Sequence, residues 1–490
     1  MRSEVAQAKA CGIPPSGELH RGLKSRHIQL IALGGIIGSC YFLGTGAVID
    51  QVGPAVFLAY ALGGLIVYLT MLCMGELTVA IPISGSFVTY AADFISPAFA
   101  CGAGWSYWIN WVAYIPAECV AGGLIMQYFT GISGYFWGVL FGLIVTFVNL
   151  ARVSLFGEIE FWLALVKISG LLLFVFFAIL IFFGLIHGPQ PAGIVGTHYL
   201  LNNGGLFPKG GMALLTAMVL LLVNYQGSEI IGLAAGEAKE PSVMIPKAIR
   251  TVMVRILGLY IIPVFCLVLI FPWEKAGLSN SVFAVALNMY GIKWAGALIS
   301  FVTLTAALSC ANSGFYGTVR ALHALARDGM APAPFAKLNK HAVPQNAVIV
   351  TLIGIWLLLG VGYFFGQTLL YLALLLVSGF TGTICWIALC WAQLNFRKRL
   401  HKAGYTVNDL KYKAPGSPYA GVVAIVLMVA CLLLLFFNHD PTYKVAFFMG
   451  ITSLVVPIVL YKVLKIDKKR KLHEKTRKRL RFEDVFPDKN

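Results

Sequence analysis

The sequence predicts an all-α protein that crosses a membrane about twelve times. Hydrophobic residues make up 59% of its 490 positions, charged residues make up only 12%, and the mean hydropathy is +0.82. A soluble domain carries roughly 25% charged residues. A chain with half that fraction has too few charges to cover a globular surface, so most of its outside is expected to face lipid. The composition therefore predicts a polytopic membrane protein.

Twelve apolar runs are long enough to cross a bilayer, which takes roughly 20 apolar residues. We number them spans one to twelve. They cover residues 28–50, 54–82, 97–127, 134–152, 157–187, 211–236, 250–271, 294–322, 346–363, 368–396, 417–438 and 441–465. Because the count is even, the two termini are expected on the same side of the membrane.

Lysine and arginine are distributed unequally between the two sides. The side of the termini, including segment 237–255, takes 32 of the 37, and Lys167 lies inside span five. The opposite side carries Lys209, Lys275, Lys293 and Lys444. Since cytoplasmic loops carry the excess of basic residues, we expect both termini in the cytoplasm and the chain in a bacterial inner membrane. Residues 1–27 are then a cytoplasmic segment, and span one is an uncleaved targeting signal.

The net charge of +17 is concentrated in short loops and in the tail, residues 466–490. This distribution argues against nucleic acid as a partner, and it predicts a solvated or lipid-surface tail that can bind anionic lipid. The ten cysteines form no CxxC or Cys/His pattern and are interpreted as small buried hydrophobes. The histidines lie at span ends or in loops, so neither a metal, a cofactor nor an enzyme is expected.

Spans one and six break the rules of helical sequence at their centres. Residues 34–39 place three glycines within five positions, and residues 224–229 insert a polar hexad between apolar stretches. Non-helical backbone inside a membrane is tolerated only where it is buried in protein or lines a cavity. The exposed N–H and C=O groups of such breaks can hold a zwitterion. Close helix packing is the alternative explanation for the glycines.

The separation of the two breaks favours a substrate site over simple packing. Breaks in the first and sixth spans fit an inverted repeat of five plus five helices, and such paired breaks mark transporter sites. We expect one domain over 28–465, with repeats over about 28–187 and 211–396 and two extra helices over 417–465.

Several stretches resemble the amino acid permeases of the amino acid–polyamine–organocation superfamily. They occur in the same order as in that family and extend over most of the chain. They are RGLKSRH (21–27), IALGGIIGSCYFLGTG (31–46), GELTVAIPISGSFVTYAADFISPAF (75–99), GWSYWINW (104–111), NYQGSEIIGLAAGEAKEPSVMIPKAIR (224–250), SCANSGFYGTVRALHALARDGMAP (309–332) and GYTVNDLKYKAP (404–415). The bacterial lysine and arginine/ornithine permeases look most similar.

The resemblance implies a LeuT-like fold in which helices one and six are unwound around an amino acid. The substrate's α-carboxylate would rest on the amides of Gly38, Ser39 and Cys40, and its amino group would meet the carbonyls of Ile36 and residues 225–228. Cys40 departs from the family, which usually has glycine there. The remaining predicted contacts are Ile37, Glu118, Tyr225, Gln226, Gly227, Ser228, Glu229 and Asn312.

Ionisable residues within spans are costly, so each needs a reason. Lys167 can pair with Glu158 or Glu160, or it can exchange a proton as burial destabilises its charged form. The resemblance favours the second role and implies proton coupling, because a lysine here stands where sodium-coupled relatives hold sodium. The resemblance also implies a role for Glu229 in substrate or proton handling. Glu118 would suit a cationic side chain of the substrate, although carriers of neutral amino acids can have an acid there too.

Other polar and aromatic positions have weaker assignments. Glu237 and Glu76 are interpreted as gate or helix-end residues, and Ser313, Ser378 and Thr381 as interhelical hydrogen-bond formers. Interface anchoring or packing is expected of Trp105, Tyr107, Trp108 and Trp111. Tyr225 and Tyr316 are the candidates for a lid over the substrate.

The sequence as a whole predicts a secondary transporter that imports an amino acid, in particular lysine, arginine or ornithine, by proton symport with alternating access. A proton-coupled carrier of neutral or aromatic amino acids and an amino-acid exchanger are the alternatives. An ion channel would need a continuous polar lining, whereas polarity here is confined to two breaks. The sequence does not specify an oligomeric state.

Overall fold

The computed structural model describes residues 37–83, 86–150, 156–188, 195–201, 204–229, 232, 241–278, 280–339, 343–466 and 481–487. Every regular element within these ranges is helical. Nine of the helices found there are long and apolar enough to cross a membrane. The predicted all-α, polytopic membrane architecture is therefore confirmed.

The described helices follow the predicted spans closely. From span two onwards, leaving out span six, their bounds are Val56–Ala80, Pro97–Thr130, Gly134–Leu150, Phe156–Phe182, Pro241–Arg255 continued by Ile256–Ile261 and Ile262–Ile270, Lys293–Arg327, Gln345–Phe365, Gln367–Lys402, Tyr419–Leu434 and Pro441–Val463. The described part of span one continues into span two, span four has only 17 residues, and span six is interrupted. The count of twelve therefore stays a prediction.

Span three lies at the centre of the molecule, in contact with spans four, eight, ten and twelve. Its small residues allow this closeness, because a Cβ on Gly123 would lie 2.3 Å from the carbonyl oxygen of Gly134 in span four. Span eight approaches similarly, since a Cβ on Gly314 would lie 2.1 Å from the Trp111 ring. Small residues at helix interfaces are what close packing inside a membrane requires.

Short helices also occur between the spans, where apolar runs could not predict them. They are Ser86–Phe94, Val195–Leu201 and Val282–Met289. The first joins spans two and three and packs on span ten, and the Tyr90 hydroxyl donates to the Ile81 carbonyl at 2.7 Å. Each has fewer than ten residues, which is too short for the span criterion to detect.

Part of the tail folds back onto the helices. Phe482 and Phe486 are only 4% and 7% exposed, and both rings pack against Phe396 at the end of span ten. Arg399 pairs with Glu483 and lies 4.9 Å from the Phe482 ring centroid. Arg481, Glu483, Asp484 and Pro487 stay exposed, so the solvated or lipid-surface tail stays a prediction; residues 467–480 and 488–490 lie outside the described part.

Candidate functional site

The break in span one is described from Ile37 onwards, and Ile36 lies outside the described residues. Ile37 and Gly38 are not helical, and the helix begins at Ser39. The Ser39 amide donates to both carboxylate oxygens of Glu118, at 3.0 and 3.2 Å. Ser39 is fully buried and Glu118 is 2% exposed. A carboxylate of span three therefore binds the first amide after the break, where a helix N-terminus favours negative charge.

Gly38 is in direct contact with this carboxylate. A Cβ at this position would lie 2.3 Å from Glu118 Oε1, 2.6 Å from Tyr114 Oη and 3.1 Å from Cys310 Sγ. The Ser39 hydroxyl lies 3.4 Å from the Tyr371 hydroxyl of span ten. Spans three, eight and ten thus contact the described part of the break, and a side chain larger than glycine at position 38 would displace Glu118 or Tyr114.

The break in span six is fully described on its N-terminal side. A short 3₁₀ helix ends at Tyr225, Gln226 is extended, and Gly227 has φ +97°, a conformation that favours glycine. The Gly227 amide donates to both carboxylate oxygens of Glu229, at 3.0 and 3.2 Å. The predicted interruption of span six is therefore present, and a carboxylate again binds the amide freed by it.

Glu229 has further donors on spans three and ten. The Tyr107 hydroxyl donates to Oε1 at 3.3 Å, and the Trp386 indole N–H donates to Oε2 at 3.2 Å. Glu229 is 2% exposed, and both aromatic residues are 1% exposed. Tyr107 was predicted to serve as an interface anchor or in packing; the anchor role is wrong, because the residue binds Glu229 inside the protein.

Gln226 connects span six to span ten. Its amide nitrogen donates to the Ser378 carbonyl at 3.0 Å, and its oxygen accepts from the Ser378 hydroxyl at 3.0 Å. The single O–H of Ser378 is shared with Asn110 of span three, whose Oδ1 lies 2.5 Å from the Ser378 oxygen. Thr381 donates to the Val377 carbonyl of its own helix. The interhelical bonding predicted for Ser378 is present, whereas Thr381 bonds within span ten.

Ser228 brings an unexpected cation to the break. Its hydroxyl donates to the Tyr225 carbonyl at 2.9 Å and accepts from Arg255 Nη2 at 3.4 Å. Arg255 is only 3% exposed. Segment 237–255 was predicted as a cytoplasmic loop with its flanking span end, and Glu237 lies outside the described residues. Arg255 lies inside the protein beside the broken span, a contact that the sequence did not indicate, and the membrane side of this segment stays a prediction.

Tyr225 belongs to a buried cluster of four tyrosines. Its hydroxyl donates to the Tyr60 carbonyl at 2.8 Å, and its ring lies 4.7 Å from that of Tyr260. Tyr41 stacks on Tyr260 at the same 4.7 Å, so the cluster joins spans one, two, six and seven. The other lid candidate, Tyr316, stacks on Arg320 at 3.8 Å. Their role as lids stays a prediction.

Lys167 is fully buried, and its ammonium group donates to the Ser309 hydroxyl of span eight at 2.7 Å. Ser309 immediately precedes Cys310, whose sulfur lies beside Gly38. Lys167 is thus connected to the first break through two consecutive residues of span eight. The side chains of Glu158 and Glu160, its alternative partners, lie outside the described part.

Glu76 lies apart from the breaks. Glu76 forms a buried ion pair with Arg397 of span ten, in which Arg397 Nε donates to Oε1 at 2.7 Å, and it also accepts from the Ala414 amide. This places Glu76 at a contact between helix ends, as predicted. Asn312 is only partly buried, unlike its neighbours Ser309 and Ser313.

The described residues converge on two buried carboxylates, each bound to an amide of a broken span. Within the same part of the chain, no three His, Cys, Asp or Glu side chains are grouped as a metal site would require. Sequence reasoning missed several residues that contact the breaks, their carboxylates or Lys167: Tyr114, Arg255, Ser309, Tyr371 and Trp386. Only Tyr114 carried a signal, because it lies one helical turn before Glu118.

Comparison with known proteins identifies a single family. The model of the family described as amino acid permease matches residues 27–477. The amino-acid permease RocE of Bacillus subtilis is 37% identical over 91% of this chain and 95% of its own length. A putative histidine permease of the same species is 37% identical over 91% and 94%. The lysine-specific permease LysP of Escherichia coli is 36% identical over 89% and 88%.

Proposed function

The chain belongs to the amino acid permease family, and we propose that it imports a cationic amino acid together with a proton. Its relatives are named as permeases, so it is a multi-pass membrane transporter of amino acids and not an enzyme. Lysine, arginine and ornithine are the proposed substrates. The single observation that carries the proposal is the pair of broken spans, each with a buried carboxylate on its freed amide.

The proposed substrate site lies between the two breaks. The α-carboxylate would bind the amides of Gly38, Ser39 and Cys40, and the α-ammonium the carbonyls of Ile36 and of residues 225–228. The segments that flank the breaks, Cys40–Gly44 and Val223–Tyr225, touch each other. Ile37, Glu118 and Asn312 complete the proposed set. Buried helix ends suit this task because their amides and carbonyls carry partial charges.

A cationic substrate is proposed because two buried carboxylates, Glu118 and Glu229, lie beside the breaks, one more than the α-ammonium of an amino acid needs. The relative named as lysine-specific supports this choice. A carrier of neutral or aromatic amino acids is the second candidate. It is favoured by the occupation of Glu229, whose two oxygens already accept from three donors and so have little capacity for a substrate side chain. An exchanger without proton coupling is a third.

Proton coupling is assigned to Lys167 and Glu229. Charged Lys167 donates to Ser309 and so ties span five to span eight beside the first break. Loss of its proton would remove the charge-assisted bond, which is worth about 1.5–3 kcal/mol. A change of that size is enough to shift the populations of inward- and outward-facing states. We propose that one bundle of helices then rocks against the other around the fixed substrate.

The membrane orientation is also proposed: both termini in the cytoplasm, in a bacterial inner membrane, with anionic lipid at the basic residues of the tail. The transport proposal is tested with the full chain in proteoliposomes. Labelled lysine uptake is measured with and without an inward proton gradient, and unlabelled amino acids are added as competitors. Gradient-stimulated uptake that only lysine, arginine and ornithine inhibit supports it. Uptake that does not depend on the gradient refutes proton coupling. Inhibition by neutral amino acids alone refutes a cationic substrate.

A further inference from the structure

We propose that Glu118 is an internal competitor of the substrate. Without substrate, its carboxylate occupies the Ser39 amide that the substrate's α-carboxylate would take. When substrate binds, Glu118 leaves this amide and pairs with the α-ammonium of the same molecule, whose three N–H donors also serve the carbonyls of the breaks. This inference rests on the proposed function, and it gives Glu118 a role in selecting α-amino acids over simple carboxylic acids.

The occupancy of the amide is direct. Both oxygens of Glu118 lie on the single N–H of Ser39, at 3.0 and 3.2 Å, and both residues are buried. One N–H hydrogen cannot serve a second carboxylate while two oxygens already share it. Two carboxylates on one amide would also repel each other strongly away from water. A substrate carboxylate therefore binds here only after Glu118 has moved.

The space around the amide leads to the same requirement. Glu118 Oε1 lies 2.3 Å from where a Cβ of Gly38 would be, so the carboxylate sits directly on the backbone of the break. Tyr114 and Cys310 lie near the same position of Gly38, and Tyr371 lies against the Ser39 hydroxyl. Because Ser39 is on span one and Glu118 on span three, separating them also frees the broken span from its neighbour. Such relative movement is what alternating access needs.

The charges explain why a zwitterion is needed. Moving Glu118 off the Ser39 amide takes a donor away from a buried anion, which is expensive. A ligand with both charges solves this problem, because its carboxylate replaces Glu118 on the amide while its ammonium neutralises Glu118. Lys167 is the nearby cation, but it is bonded to Ser309. A ligand with only a carboxylate would leave two anions in one buried site.

Glu229 provides an internal contrast. It also binds an amide of a break, but it lies on the broken segment itself, two residues from Gly227. Tyr107 and Trp386 hold it from two other spans. Glu229 is thus fixed by its own span and its neighbours, whereas Glu118 reaches the break from another span and can be released.

The experiment compares an amino acid with its analogue that lacks the α-amino group. L-Lysine and ε-aminocaproate form one such pair, and L-alanine and propionate form the pair for a neutral substrate. Binding of each is measured with full-length protein in nanodiscs, for the native chain and for Glu118→Gln. The native chain should bind the amino acid and reject the analogue. Glu118→Gln should gain affinity for the analogue by about tenfold or more, the equivalent of one charge-assisted hydrogen bond.

The outcomes separate the roles. If Glu118→Gln weakens lysine binding without strengthening the analogue, Glu118 is an ordinary ammonium partner and the inference is wrong. Glu118→Asp, which keeps the charge but is too short to reach Ser39, should bind lysine more tightly and still reject the analogue. Glu76→Gln is the matched control, since it neutralises a buried carboxylate elsewhere and should leave the preference unchanged. A native chain that binds no amino acid refutes the proposed function itself.

Discussion

Gly38→Ala tests the geometry of the first break in the most local way. The new methyl group would lie 2.3 Å from Glu118 Oε1 and 2.6 Å from Tyr114 Oη, much closer than ordinary van der Waals contact. Glu118 would have to withdraw from the Ser39 amide, or the break would have to shift. Overpacking of this kind costs about 1–3 kcal/mol. If substrate binding bears that cost, affinity falls by about five- to 150-fold.

The assay is substrate binding in nanodiscs combined with thermal stability of the same samples. Gly360→Ala is the matched control, because a Cβ at that position in span nine meets nothing within 4 Å. It should bind substrate normally, and a helical alanine should not lower stability. If the two variants behave alike in both measurements, the Gly38 backbone is not in contact with Glu118 as described, and the proposed position of the substrate carboxylate fails with it.

Three further substitutions test contacts away from the first break. Trp386→Phe removes one donor to the Glu229 carboxylate and should lower thermal stability by the equivalent of about 1.5–3 kcal/mol. An unchanged thermal stability would show that this bond is absent. Arg397→Met leaves the Glu76 carboxylate buried without its cation and should lower the free energy of unfolding by about 3–5 kcal/mol, measured by unfolding in detergent. An unchanged unfolding midpoint would contradict the ion pair. Phe486→Ala should undock the terminal segment, so limited proteolysis would cut there faster than in the native chain, whereas equal rates would argue against docking.

The membrane architecture and the position of the breaks were accessible from sequence because they depend on local composition. Glycines at 34–38 and the polar hexad at 224–229 are anomalies within apolar runs, and such anomalies are visible without tertiary information. The break in span six is present where predicted, and span one is non-helical at Ile37 and Gly38. Family resemblance then supplied what the breaks alone could not, the chemical class of the cargo.

The surroundings of the breaks were not accessible in this way. Trp386 and Tyr107 are 157 and 122 positions from Glu229, and nothing in their own spans distinguishes them from packing residues. Glu118 was recognised as important, but its partner, an amide of span one, depends on how span three crosses the break. The contact of Arg255 with Ser228 was not accessible either, because an arginine near a span end usually faces the membrane–water interface.

The tail shows how composition can hide a packing motif. Residues 467–490 are dominated by charge, which predicts a solvated segment. Phe482 and Phe486 are four positions apart, however, and on one helical turn they present the same face to Phe396. Two aromatic residues are enough to dock a short segment whose other side chains stay mostly exposed, although they hardly change its average hydropathy.

Gradient-driven accumulation by Lys167→Ala is the measurement that decides whether this permease couples an amino acid to a proton. Labelled lysine is added outside proteoliposomes that carry an inward proton gradient, and its accumulation inside is measured. Exchange of lysine is measured separately with equal pH on both sides. We predict that Lys167→Ala loses accumulation, because the charge that binds Ser309 is gone, and retains exchange. Accumulation equal to that of the native chain would contradict the assignment of the proton to this lysine.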